Sequence, residues 1–172
     1  MKKLECHSME LFVIRHAWAG DRDDLQWPDD DLRPLTGSGQ KRFAKAAATL
    51  VELGVAPEVV ATSPLLRCVQ TAEILAKNIP NNPEVVELDA LRPGSDLQAA
   101  MLWTTQQAKL HQQLAWVGHS PDVDRMTAAL IGGADALIRF AKGGVAAIRF
   151  DGPPEVGAGE LRWLIPGKMI AD

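Results

Sequence analysis

Arg15 and His16 stand at the end of the apolar run Leu11-Phe12-Val13-Ile14. A guanidinium binds oxyanions through a planar fork of donors. A neighbouring imidazole can act as a nucleophile near neutral pH. The pair therefore has the parts of a phosphoryl-transfer site. The apolar run reads as a buried strand, and a strand that ends in Arg and His delivers both to the sheet's C-terminal edge. Ligand sites of open α/β sheets lie at that edge. Taken alone, the dipeptide is equally consistent with an exposed strand end that does nothing.

Two more segments bring chemistry to the same edge. Leu114–Val117 reads as a strand that runs into Gly118-His119-Ser120-Pro121. Val59-Val60-Ala61 reads as a short buried strand followed by Thr62-Ser63-Pro64-Leu65-Leu66-Arg67, which puts Arg67 in the first turn of a helix. In a parallel sheet, Arg15, His16, Arg67 and His119 then converge. The alternatives are structural. An Arg in a helix's first turn opposes the helix dipole and would pair with an aspartate of the acidic loop, and His119 would be a satisfied turn histidine. Cys68, next to Arg67, is expected as a small buried residue rather than a reactive thiol.

The elements that must position these groups alternate. Glu10–Arg15 is the first strand. Residues 17–34 form a long polar loop with Asp21, Asp23, Asp24, Asp29, Asp30 and Asp31, expected as a solvated face. Thr36 is an expected N-cap, and Phe43, Ala44, Ala47, Leu50 and Val51 make an apolar stripe that Gly54 ends. A helix is expected to start at Pro64, a strand at Val85-Val86, and helices over residues 96–110 and 121–131. Residues 144–150 and 160–165 read as an antiparallel hairpin. Repeated β-then-α order implies a three-layer α/β/α sandwich, with a mainly parallel central sheet and a C-terminal antiparallel strand. Trp103, Trp116 and Trp163 are assigned to the core. Trp18 and Trp27 are expected to line the site entrance or to pack the loop down, and His7 and His111 are expected to be exposed bystanders.

Bulk properties narrow the class. The chain has 172 residues, 47% hydrophobic and 23% charged, with a net charge of −4. This suits one globular domain and gives no global basic surface for nucleic acid. Two distant cysteines, Cys6 and Cys68, give neither a disulfide framework nor metal-ligand spacing. No metal and no cofactor are expected. Lys2 and Lys3 are followed by polar Leu4-Glu5-Cys6-His7-Ser8, so no leader-like apolar stretch follows and a cytoplasmic setting is expected. Residues 1–8 are expected to be a disordered extension, and residues 9–172 a single domain.

The motifs also resemble a known family. Arg15-His16-Ala17, Leu35-Thr36 with Gly39-Gln40, Ser63-Pro64-Leu65-Leu66-Arg67 with Gln70-Thr71-Ala72, and Val117-Gly118-His119 resemble the histidine phosphatase superfamily, in its order. The short length, Arg33-Pro34-Leu35-Thr36 and Lys142-Gly143-Gly144-Val145-Ala146 look like its SixA-type phosphohistidine phosphatase branch. The resemblance implies a phosphoglycerate mutase-like fold, His16 as nucleophile, and Arg15, Arg67 and His119 as phosphate-binding groups. Ala17, Trp18, Ser63 and Arg33 become further candidates for substrate contact. Many superfamily members carry a Glu acid after the third strand, where this chain has Ala90, with Asp89 beside it.

A mechanism follows as an expectation. His16 attacks phosphorus, Arg15, Arg67 and His119 stabilise the oxygens, His119 adding a cation if it is protonated, and water releases phosphate. A site lacking a strong acid favours a P–N substrate, because imidazole leaves as a neutral base whereas an alkoxide needs a proton. The expected partner is a phosphohistidine-bearing protein such as a phosphotransfer domain, with no nucleic acid or membrane involved. The alternatives are a small-molecule phosphomonoesterase and a non-catalytic phosphate-binding module.

Overall fold

The continuous apolar run after Ser8 forms strand β1 (Met9–Arg15), whose inward and outward side chains are both largely buried. Such a strand needs partners on both sides and layers on both faces. The computed structural model supplies them, describing residues 8–23, 25–133 and 135–171. The other strands are β2 (Val59–Thr62), β3 (Glu84–Glu87), β4 (Gln113–Gly118), β5 (Val145–Phe150) and β6 (Glu160–Ile165). They form one sheet in the order β3-β2-β4-β1-β5-β6. Strands β1 to β4 run parallel, β5 is antiparallel to β1, and β6 is antiparallel to β5.

Alternation along β1 divides the core. Phe12 and Ile14 join Phe43, Leu50, Cys68 and Leu75 on one face. Leu11 and Val13 join Met101, Trp116, Val123 and Leu130 on the other. Helices α1 (Gly37–Glu52) and α2 (Leu66–Asn78) therefore cover the first face, and α3 (Leu97–Gln107) and α4 (Asp122–Leu130) the second. The layers are α/β/α, as the alternation predicts. β1 and β4 are neighbours, yet the helix after β1 lies on one face and the helix after β4 on the other. Their chains part at the C-terminal edge, the ordinary place for a ligand in such sheets.

Local signals hold where a side chain enforces them. Thr36 caps α1 by accepting from the Gly39 N–H at 2.9 Å, and Gly54 takes the left-handed turn after it with φ +89°. Asp96 caps α3 rather than starting it, and α3 ends at Gln107. The helix expected from Pro64 begins at Leu66, because Leu65 is still extended with ψ 131°. Arg67 is thus the second residue of α2.

Gly39 permits one close approach, since a Cβ there would sit 2.1 Å from the Trp18 carbonyl oxygen. Residues 1–7, and with them Cys6, His7 and all of the expected extension but Ser8, lie outside the described residues, as does Asp24. No helix among the described residues is long and apolar enough to cross a membrane.

Candidate active site

The backbone around Arg15 and His16 is fixed from three sides. The Arg15 N–H donates to the Gly144 carbonyl at 3.0 Å and the His16 N–H to the Gly118 carbonyl at 2.9 Å. The His16 carbonyl accepts from the Gly143 N–H at 3.1 Å. Gly143 has φ +66°, and a Cβ there would lie 3.2 Å from the Trp18 ring, so the turn requires glycine. The Ala17 N–H donates to Thr71 Oγ1 at 3.0 Å, and that hydroxyl donates to the Arg67 carbonyl at 2.7 Å. One threonine therefore couples the end of β1 to the first turn of α2.

The His16 tautomer follows from its neighbour. His16 Nδ1 lies 2.8 Å from the Ala17 carbonyl oxygen. A carbonyl only accepts, so Nδ1 carries the hydrogen and Nε2 keeps its lone pair. Burial first, with the nearby His119, Arg67 and Arg15, lowers the His16 pKa to about 3. The ring is neutral at physiological pH, as a nucleophile must be. Burial, then Arg67, likewise lowers His119 to about 4. The charge of His119, left open by the sequence, is therefore decided: in the free site it is a neutral ring, with Nε2 2.8 Å from Ser63 Oγ. The two rings meet edge to face, 5.5 Å between centroids.

Both arginines are anchored through a terminal nitrogen. Arg15 Nη1 donates to the Phe140 carbonyl at 2.7 Å. The Phe140 N–H in turn donates to Asp124 Oδ1 at 3.1 Å, and Asp124 Oδ2 accepts from the Ser120 hydroxyl. Arg67 Nη1 donates to the Asp30 carbonyl oxygen at 2.8 Å, and Arg67 Nη2 lies 3.1 Å from Asp30 Oδ2. In both arginines Nε is buried without a partner, and among the described residues the one other such side-chain atom is Thr127 Oγ1. A buried donor without an acceptor costs about 1–3 kcal/mol, more when charged. Two anchored guanidinium groups beside a neutral histidine make a site whose charge suits an oxyanion.

The four residues placed at one edge by topology, Arg15, His16, Arg67 and His119, are brought together. The secondary candidates stand one step back. Ala17 gives its N–H to Thr71 and its carbonyl to His16, so it orients the histidine. The Trp18 carbonyl accepts from the Thr36 N–H and its ring lies under the Arg42 guanidinium at 4.4 Å, which pins the loop to α1. Ser63 engages His119. Arg33 binds Asp30 Oδ1 at 2.7 Å through Nε and the Gly20 carbonyl at 2.7 Å through Nη1.

Other expectations change. The acidic loop is not simply a solvated face, since Asp30 meets Arg67 and Arg33, and Asp31 meets Arg92. Arg67 does pair with a loop aspartate, the structural alternative, yet still keeps its Nε unpaired. Asp89 pairs with Arg92, with its side chain 86% exposed, while Ala90 is buried in the core. His111 is half-buried rather than exposed, with Nδ1 3.2 Å from Glu58 Oε2 beyond the opposite end of the sheet. Burial pushes the Cys68 thiol up to about 12, as expected of an inert residue. Sequence reasoning missed the Asp124–Phe140 link, because a backbone carbonyl that braces an arginine has no residue-type signature. Among the described residues no group of three or more His, Cys, Asp or Glu stands where it could hold a metal ion.

Residues 11–132 match the family model of the histidine phosphatase superfamily, branch 1. Phosphohistidine phosphatase SixA of Escherichia coli is 31% identical, across 90% of this chain and 92% of its own. An uncharacterised protein of Picosynechococcus is 35% identical, across 92% of this chain and all of its own. The solved structure of protein histidine phosphatase SixA complexed with tungstate superposes with a TM-score of 0.80 at 25% identity, covering 92% of this chain and 97% of that one.

Proposed function

The chain belongs to the histidine phosphatase superfamily and is a phosphatase similar to the SixA-type branch, and we propose that its substrate is protein-borne phosphohistidine. The Nε2 lone pair of His16 attacks phosphorus in line with the scissile P–N bond. The substrate imidazole departs carrying its ring proton, and phospho-His16 forms. Water then attacks phosphorus, breaks the bond to His16 and yields phosphate. Arg15, Arg67 and the His119 ring meet the three equatorial oxygens, whose charge is roughly −1.5 to −2 at neutral pH. The two guanidinium groups supply the positive charge that this transfer needs, so the reaction proceeds without a metal ion.

The observation that carries this reading is the state of the acids around the site. Asp30 is held ionised by Arg33 and Arg67, and Asp89 is turned out to Arg92. Neither is a ready proton donor. General acid help contributes about 10²- to 10⁴-fold, and an alkoxide leaving group loses most without it. A protonated imidazole leaves as a neutral ring and loses least. The setting is cytoplasmic in this reading, and the partner is a phosphotransfer domain of a signalling or sugar-transport relay.

Release of phosphate is to be compared for a phosphohistidine protein and a panel of sugar, nucleotide and cofactor phosphates, in chelator. Fast release from phosphohistidine with slow release from esters supports the proposal. Efficient ester hydrolysis moves the substrate to small molecules. Phosphate binding with no turnover at all leaves a binding module.

A further inference from the structure

Asp30 has no part in the chemistry above, yet it makes more contacts to the site's cations than any other acid described here. It opens the 3₁₀ turn Asp30–Leu32 in the loop after β1. Asp29 caps that turn by accepting from the Asp31 N–H at 3.0 Å, which fixes the backbone at Asp30. Asp30 then takes both terminal nitrogens of Arg67, Nη1 on its carbonyl oxygen at 2.8 Å and Nη2 on its carboxylate at 3.1 Å. Its other carboxylate oxygen holds Arg33 Nε at 2.7 Å, and Arg33 is tied back to the loop at Gly20.

A guanidinium gripped by both terminal nitrogens cannot rotate about its own plane. Its Nε is buried with no partner, so the two contacts to Asp30 are the hydrogen bonds that hold the group in place. The Arg67 side chain is 6% exposed, so this pair is not a solvent-screened surface bridge. Asp31, one residue on, shows the contrast: its partner Arg92 is 45% exposed.

We infer that Asp30 is a positioning residue for catalysis, fixing the Arg67 guanidinium in the place and plane from which it meets the phosphoryl group. The inference rests on the phosphatase reading of the site. Its signature is a split between binding and turnover. Binding a dianion depends mainly on net charge, and loss of the Asp30 carboxylate removes a repulsion there. The transition state depends on where the fork points, and misplacement by about 1 Å costs roughly 10²-fold. Replacing Asp30 therefore lowers kcat without weakening oxyanion affinity.

The test is a double-mutant cycle with Asp30→Ala and Arg67→Ala, with Asp30→Asn as the milder variant and Asp31→Asn as the loop-charge control. Asp30→Ala is expected to lower kcat on a phosphohistidine protein at least about tenfold, with the tungstate Kd rising no more than about threefold. Asp30→Asn, which keeps an acceptor for Nη2, is expected to recover part of that kcat. In the Arg67→Ala background the Asp30 effect is expected to fall below about twofold, as coupling through one partner demands. An equal Asp30 effect in both backgrounds, an unchanged kcat, or the same loss in Asp31→Asn overturns the inference.

A readout independent of substrate separates its failure from that of the phosphohistidine reading. The Arg67 Nε–H proton resonance, assigned by its loss in Arg67→Ala, is expected to exchange slowly in the wild type and rapidly in Asp30→Ala. If the wild type binds tungstate but leaves phosphohistidine intact, slow exchange that is lost in Asp30→Ala supports the positioning role, and exchange unchanged by the substitution overturns it.

Discussion

Acidification offers a quantitative test of the two buried rings. His16 and His119 are 8% and 5% exposed, and burial lowers them from 6.5 to about 3 and about 4. The unfolded chain takes up these protons as the pH falls through 6.5, while the folded chain does not. The unfolded state then binds more protons, so stability is full above about pH 6.5 and falls as the pH drops toward the folded values. Each ring contributes a slope of about 1.4 kcal/mol per pH unit. Between pH 7.5 and pH 5 this is about 2 kcal/mol for each histidine and about 4 kcal/mol for both. Asp30 and Glu58 are held below the ordinary carboxyl range, so they add little above pH 5. The assay is urea unfolding followed by tryptophan fluorescence in phosphate-free buffer, for the wild type and for His16→Asn/His119→Asn. The wild type is expected to lose about 4 kcal/mol more than the double variant over that interval. Parallel curves would refute the buried, neutral state of both rings.

Three further outcomes follow from single contacts. Gly39→Ala places a methyl 2.1 Å from the Trp18 carbonyl, so thermal denaturation is expected to show a loss of about 2–4 kcal/mol. Thr104→Val removes the acceptor 3.0 Å from the buried Trp116 indole N–H, and chemical denaturation is expected to show about 1–3 kcal/mol lost. Cys68, with its thiol pushed up to about 12, is expected to resist iodoacetamide at pH 8 in the folded protein and to react in denaturant, read by peptide mass mapping.

How much was legible depended on whether a residue's own type carried the signal. β1 could be read because a strand buried on both faces must be continuously apolar, and Thr36 because a hydroxyl caps a helix visibly. The convergence of Arg15, His16, Arg67 and His119 followed from topology alone, since parallel strands put their ends on one edge. The start of α2 was misplaced because Leu65, not Pro64, decides where the helix begins. The charge of His119 could not be read because it depends on burial and on the Arg67 beside it, neither of which is a property of sequence. The anchors of both arginines, the Phe140 carbonyl and Asp30, lie 125 and 37 residues from their partners. Nothing in the loop's run of aspartates singles out Asp30, because only the 3₁₀ turn presents it to Arg67.

The central claim is that His16 Nε2 takes the phosphoryl group. The most direct measurement is an acid-free quench of the enzyme during turnover of a phosphohistidine protein, with mass mapping of the phosphorylated peptide. The account predicts an acid-labile, base-stable phosphate on His16, linked through Nε2, appearing and decaying at rates compatible with turnover and absent in His16→Ala. Turnover that persists in His16→Ala, or a phosphate trapped on another residue, would contradict it.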